Sequence, residues 1–100
     1  MITVNVNASK EYKILIDNDL LKDTGELVCN IYPPCKAVII TDDIVDSFYA
    51  GTVQTSLEKS GFSTHKYVFK NGESSKSIQT LTDILEFLAQ CKLSRSDLII

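Results

Sequence analysis
Two short polar stretches hold the side chains with the most chemical reach. The first, Thr41-Asp42-Asp43, directly follows the apolar run Ala37-Val38-Ile39-Ile40; the second is Phe69-Lys70-Asn71-Gly72-Glu73-Ser74-Ser75-Lys76-Ser77. A carboxylate just past a strand can accept two hydrogen bonds from a diol such as a ribose. It can equally accept from the first unpaired N–H groups of a following helix. For Asp42 the residues by themselves favour the helix cap. In the second stretch, Asn71-Gly72 suits a tight turn with positive φ, and Ser74, Ser75 or Ser77 suits a helix start. Glu73 and Lys76 lie three apart and can share a face as a surface pair worth about 0.2–0.5 kcal/mol. That plain reading accounts for the whole stretch. A functional reading accounts for it too: the turn exposes backbone N–H groups, Glu73 offers acceptors to hydroxyls, and Lys76 supplies a cation for a phosphate or carboxylate at a helix N-terminus.

The other chemistry-bearing residues form no such constellation. His65 sits in a strand pattern with no acidic neighbour in sequence and reads as a surface or satisfied histidine. Cys29, Cys35 and Cys91 are odd in number and match neither CxxC nor a zinc-ligand spacing, which reads as reduced thiols of the cytoplasm. Tyr12, Tyr32, Tyr49 and Tyr67 are dispersed and read as packing. GxGxxG, Walker A, HExxH and GxSxG patterns are all missing. No residue is thus singled out as catalytic or as a metal ligand.

The elements that must position these stretches follow from periodicity. Ile2 to Val6 alternates apolar and polar residues, and Tyr12 to Ile16 is a second β-rich run, together an antiparallel pair. Leu20, Leu21, Thr24, Leu27, Val28 and Ile31 form a helical stripe with Asp17 or Asn18 as N-cap; Gly25 weakens it and Pro33-Pro34 stops it. Ala37 to Ile40 suits a strand buried on both faces. Ile44, Val45, Phe48, Tyr49, Val53 and Leu57 make a second helical stripe closed at Ser60-Gly61, Thr64 to Phe69 a further strand, and Ile78, Leu81, Ile84, Leu85 and Leu88 a third helix. The order β-β-α-β-α-β-α-β implies an α/β fold: a Rossmann-like open, mostly parallel sheet in a three-layer α/β/α arrangement, preceded by an N-terminal antiparallel hairpin. In such sheets ligands gather beyond the carboxyl ends of the strands, where both polar stretches fall.

Composition bounds the classes. One hundred residues, 44% hydrophobic and 23% charged, suit one compact domain. A net charge of -3 with scattered Lys and Arg argues against nucleic acid. The longest apolar runs are too short to span a membrane or act as a signal peptide. The apolar strand Leu98-Ile99-Ile100 closes the sequence with no turn after it, which suggests a chain cut at a domain edge.

Order and spacing together resemble a known family. "YKILIDNDLL", "AVIITDDIV" and above all "FKNGESSKSIQTLTDILEFLAQCKLSRSDLII" are similar to the N-terminal part of 3-dehydroquinate synthases. There a strand followed by a Gly-Glu-x-x-Lys-(Ser/Thr) turn leads into a helix and then an (S/R)-D-x-(L/I)-(I/V) strand; Gly72, Glu73, Lys76, Ser77 and Ser96 to Ile100 fill those places. The resemblance implies that residues 1–100 are an NAD-binding domain, the C-terminal metal and substrate domain lying outside this chain. The family converts 3-deoxy-D-arabino-heptulosonate 7-phosphate to 3-dehydroquinate and phosphate in the shikimate pathway of aromatic amino acid biosynthesis. It uses NAD in a transient oxidation that acidifies the proton lost as phosphate leaves. Carried over by motif, Asp42 faces the adenosine ribose, and Asn71, Gly72, Glu73, Ser74, Ser75 and Lys76 contact the cofactor and the sugar-phosphate site.

Further expectations follow from the same resemblance. The full-length enzyme is a cytoplasmic lyase, a homodimer that binds a divalent metal (zinc or cobalt) through residues outside this chain, and acts on a small sugar phosphate; no membrane or nucleic acid partner is implied. This chain alone is inactive, since the glycine-rich pyrophosphate loop belongs after Ile100. Two departures stand out: Ile44 where the family often has Asn, and Asn71-Gly72-Glu73 where Asp-Gly-Glu is commoner. The alternatives are another sugar-phosphate cyclase, a glycerol-dehydrogenase-like NAD domain, or a stand-alone flavodoxin-like binding module.

Overall fold
The computed structural model describes residues 1–8, 10–17, 20–72 and 77–100. In chain order the elements are β1 (Ile2–Asn7), β2 (Glu11–Ile16), a 3-10 turn (Leu20–Asp23), α1 (Thr24–Cys29), β3 (Lys36–Asp42), α2 (Asp43–Val45), a π-helical turn (Asp46–Ala50), α3 (Gly51–Lys59), β4 (Ser63–Phe69), α4 (Ile78–Gln90) and β5 (Leu98–Ile99). β1 and β2 pair antiparallel as a separate two-stranded ribbon, while β4, β3 and β5 form a parallel sheet in that spatial order.

The central position of β3 follows from its composition. A strand flanked on both edges and covered on both faces has no polar side to show, and Ala37 and Val38 are 0% exposed and Ile39 4%. Successive side chains of β4 reach opposite faces of the sheet. Lys66 pairs with Asp46 on one side at 2.5 Å, and Tyr67 packs against Phe87 of α4 on the other, ring centroids 5.2 Å apart. Helices therefore cover both faces, as the alternating pattern requires. On the α3 side the core is Ala37, Ile39, Val53, Leu57 and Phe62, with Val28, Cys29, Cys35 and Leu98 packed around it.

Polar contacts fix the ends of the elements. The ammonium of Lys36 donates to the carbonyls of Cys91 (2.6 Å) and Lys92 (3.3 Å), a cation at the C-terminus of α4 where the helix dipole favours one. The Lys36 backbone N–H donates to Asp97 Oδ1 at 3.1 Å, and Asp97 Oδ2 accepts from the Ser94 N–H at 2.8 Å, so one carboxylate ties the start of β3 to the turn that feeds β5. After α3 the chain reverses through Gly61 at φ 97°, the left-handed conformation expected of the Ser60-Gly61 close.

The helices depart from expectation in three places. The first stripe is divided into the 3-10 turn and a short α1, whose N-cap position is Asp23 with no side-chain cap; Asp17 lies 3.6 Å from the Met1 ammonium, and Asn18 is outside the described residues. Gly25 does not merely weaken this helix. Its N–H donates to Ser56 Oγ at 2.9 Å, and a Cβ there would stand 2.0 Å from the Ser56 carbonyl oxygen, so glycine is what lets α1 lie against α3. The second stripe is interrupted by the π turn. An extra residue in that turn rotates what precedes it, and Ile44, Val45, Phe48 and Tyr49 remain largely exposed while Ala50, Val53 and Leu57 are buried. On α4 the exposed residues include Ile78, Leu81 and Leu85; contact with β4 runs through Phe87, because a helix on an edge strand is covered along one side only.

Candidate functional site
Parallel pairing brings the two polar stretches together. In the β3–β4 register Asp42 stands beside Phe69, so the residues just past each strand emerge side by side at the carboxyl edge of the sheet. Asp42 is extended (φ -84°, ψ 171°) and its Oδ1 accepts from the Val45 N–H at 2.7 Å. The capping role favoured from sequence is thus present. A carboxylate retains acceptor capacity beyond one such bond, so the cap does not exhaust Asp42.

The next residue makes the connection that sequence reasoning missed. Asp43 Oδ1 accepts from the backbone N–H of Asn71 at 3.0 Å and from Asn71 Nδ2 at 2.7 Å, joining loops 28 positions apart. Those bonds, the side-chain one first, hold the Asp43 carboxyl below the ordinary carboxylate range. The available signal was the Asp-Asp doublet after an apolar strand, of which only the first member was read. Beyond Asn71 the chain turns at Gly72, φ 108°, the positive value anticipated for Asn71-Gly72 and the backbone conformation that calls for glycine; no atom of the described residues lies within 4 Å of a Cβ built there. Glu73, Ser74, Ser75 and Lys76 lie outside the described residues. On the far side of them Ser77 caps α4, its Oγ accepting from the Thr80 N–H at 3.2 Å.

An apolar groove of about 230 Å³ adjoins this edge, lined among others by Leu21, Ile40, Val45, Tyr49 and Ile100. Burial pushes the Cys35 thiol up and the Asp97 charge adds to it, which disfavours a reactive thiolate. All three cysteines are free. Among the described residues no group of three or more His, Cys, Asp or Glu is placed to hold a metal, and His65 is exposed on β4. No helix among them is long and apolar enough to cross a membrane.

Comparison with known proteins places this chain in a family. The chain is 44% identical over 99 residues to the 3-dehydroquinate synthase of Streptococcus suis, matching 99% of this chain and 28% of that enzyme. It is 40% identical over 89 residues to the 3-dehydroquinate synthase of Clostridium acetobutylicum, matching 89% of this chain and 25% of that enzyme. Among solved structures, 2-deoxy-scyllo-inosose synthase superposes with a TM-score of 0.80 at 19% identity, covering 98% of this chain and 28% of that one. A structure of a synthase of that name holds carbaglucose-6-phosphate, NAD+ and Co2+. The 2-epi-5-epi-valiolone synthase of Streptomyces hygroscopicus, with NAD+ and Zn2+ bound, superposes at 0.68 with 18% identity, covering 92% of this chain and 25% of that one. At such identities these likenesses speak to fold alone. A scan against models of protein families finds no match. The chain spans less than a third of the length of the curated relatives it matches, and over that span its sequence belongs to the 3-dehydroquinate synthase family.

Proposed function
We propose that residues 1–100 are the N-terminal, NAD-binding domain of a 3-dehydroquinate synthase, the lyase that converts 3-deoxy-D-arabino-heptulosonate 7-phosphate to 3-dehydroquinate and phosphate. The observation that carries the reading is 44% identity maintained over 99 residues to an enzyme of that name. The geometry of the carboxyl edge supports it. Loops following two adjacent parallel strands converge there, one bearing a carboxylate with acceptor capacity to spare and the other a positive-φ turn.

NAD fits the described part of this edge. Asp42 is the acceptor for a ribose hydroxyl, held in place because its Oδ1 is anchored on the Val45 N–H. By the resemblance, Glu73 accepts from hydroxyls and Lys76 offsets phosphate charge, both following the Asn71-Gly72 turn in sequence. When bound, NAD supplies a reversible hydride acceptor for an alcohol of the substrate. A divalent metal does not fit the described residues. In this reading the metal, the remaining substrate contacts and the pyrophosphate loop belong to the rest of the enzyme, a cytoplasmic homodimer, and residues 1–100 alone are inactive.

Titration calorimetry with NAD tests this, comparing this chain with a longer protein carrying the second domain. Strong binding by the longer protein only, with metal-dependent phosphate release from the heptulosonate phosphate, is the expected result. Absence of NAD binding in both would reduce Asp42 to a helix cap and the resemblance to one of shape.

A further inference from the structure
A charge stands where the second helical stripe calls for an apolar side chain. Ala50, Val53 and Leu57 are the buried residues of this helical passage, and Asp46 extends their spacing one step towards the N-terminus, four residues before Ala50. Its carboxylate is accordingly turned towards the sheet. Asp46 Oδ1 is buried and meets the Lys66 ammonium at 2.5 Å, with no hydrogen-bond partner besides it among the described residues. Both side chains are less than a third exposed, 26% for Asp46 and 29% for Lys66.

Such a pair is a poor source of stability. Taking two charges out of water offsets much of their attraction, and an apolar pair of similar volume is often as stable or more so, whereas removal of one partner alone strands the other charge. What the pair does supply is a defined geometry between two elements. On the same face of β4, two residues earlier, Thr64 Oγ1 accepts from Gln54 Nε2 of α3 at 3.1 Å, so the strand holds the helical passage at two points. Gln54 lies in the regular part of the helix. Asp46 opens the π turn, whose wider winding separates the three residues of α2 from α3, so that α2 needs a tether of its own.

The tether bears on the candidate edge through its neighbours in the chain. Val45, the residue before Asp46, supplies the N–H that holds Asp42 Oδ1 at 2.7 Å, and the Asp46 N–H donates to the Asp43 carbonyl in the same turn. Displacing Asp46 displaces the Val45 N–H, and with it the direction in which the second oxygen of Asp42 points. We propose that Lys66 and Asp46 are positioning residues for Asp42: the pair pins the α2 turn to the neighbouring strand, so that the Asp42 carboxylate keeps one orientation towards a ribose diol. The proposal rests on the assignment of this edge to NAD, and the pair acts through Val45 and Asp42 alone.

The test replaces the pair by apolar side chains, Asp46→Leu with Lys66→Met, beside the conservative Lys66→Arg. Thermal melts of this chain read stability, and amide hydrogen exchange at Val45 reads the anchor on Asp42. The apolar pair is expected to melt at or above the wild-type temperature while Val45 exchanges roughly two- to tenfold faster, the range that weakening one hydrogen bond implies; Lys66→Arg is expected to match wild type in both. In the longer protein the apolar pair is expected to raise the Kd for NAD severalfold with kcat at saturating NAD unchanged. It is also expected to narrow the preference for NAD over NADP, because a carboxylate turned away from the diol no longer repels a phosphate carried there. Lys66→Arg is expected to retain both affinity and preference. Unchanged Val45 exchange in the apolar pair overturns the tether. An apolar pair that melts well below wild type or does not fold, while Lys66→Arg folds normally, makes the ion pair an ordinary source of stability and overturns the positioning role. Faster exchange with unaltered NAD affinity and preference overturns that role too, and leaves the assignment of the edge intact. A wild-type longer protein that binds no NAD overturns that assignment and the positioning role with it, the Val45 exchange then reporting a tether that is structural only.

Discussion
Asp42 and Asp43 carry the same side chain at consecutive positions, and the backbone sends them to different tasks. One is the last residue of a strand and faces the helix that follows; the other is the first residue of that helix and faces the next loop. Acid should separate carboxylates of this kind from ordinary ones. Asp43, through the Asn71 side chain, and Asp97, through the Ser94 N–H, are both held below the ordinary value of 3.8. A depressed folded value means that the unfolded chain binds the proton first, so the stability each contributes is complete above that ordinary value and disappears as pH falls through the lower one. Thermal melts of wild type, Asp43→Asn and Asp97→Asn are expected to differ at neutral pH and to converge at strongly acidic pH. Parallel curves across that range would mean that neither bond contributes.

At the scale of elements, Gly25 and the π turn show what periodicity can and cannot reveal. Gly25→Ala should raise helix propensity in an isolated peptide, yet here it places a Cβ 2.0 Å from the Ser56 carbonyl. The expected outcome is a loss of roughly 1–3 kcal/mol or more in urea unfolding, because backbone and not a movable side chain is in the way; a stabilised variant would show that α1 and α3 separate freely. The alternation of strands and helices was legible from apolar runs, and so were the Gly61 close and the Asn71-Gly72 turn, since positive φ has a narrow residue preference. Which residues of a stripe reach the core was not legible. Phe48 and Tyr49 have helical spacing, but the π turn shifts their phase, and that shift is written in tertiary packing, not in the spacing. Asp43 was missed for a similar reason: its partner is remote in sequence and adjacent only through the β3–β4 register.

Across the whole molecule, apolar surface is distributed unevenly. Register pairs Ile2 with Ile16, Val4 with Ile14 and Val6 with Tyr12, so one face of the β1–β2 ribbon is wholly apolar, and Ile2 remains 60% exposed. A two-stranded ribbon by itself is marginal in water. Its amides are expected to exchange quickly in dilute solution of this chain, and faster than those of β3. Protection of β1 and β2 equal to that of β3 in dilute monomer would show that the ribbon is stable unaided. The order of the parallel sheet also bears on how the chain acquires its shape. β3 pairs with β4 across a single intervening helical passage, whereas the bond from Lys36 to Asp97 spans 61 positions. Loop-closure entropy and dependence on non-local contacts make the second pairing the slower to form. The β3–β4 unit, and with it the meeting of Asp43 and Asn71, can therefore assemble early, with β5 arriving afterwards to close the other flank of β3. In folding order the candidate edge precedes the completed sheet around it.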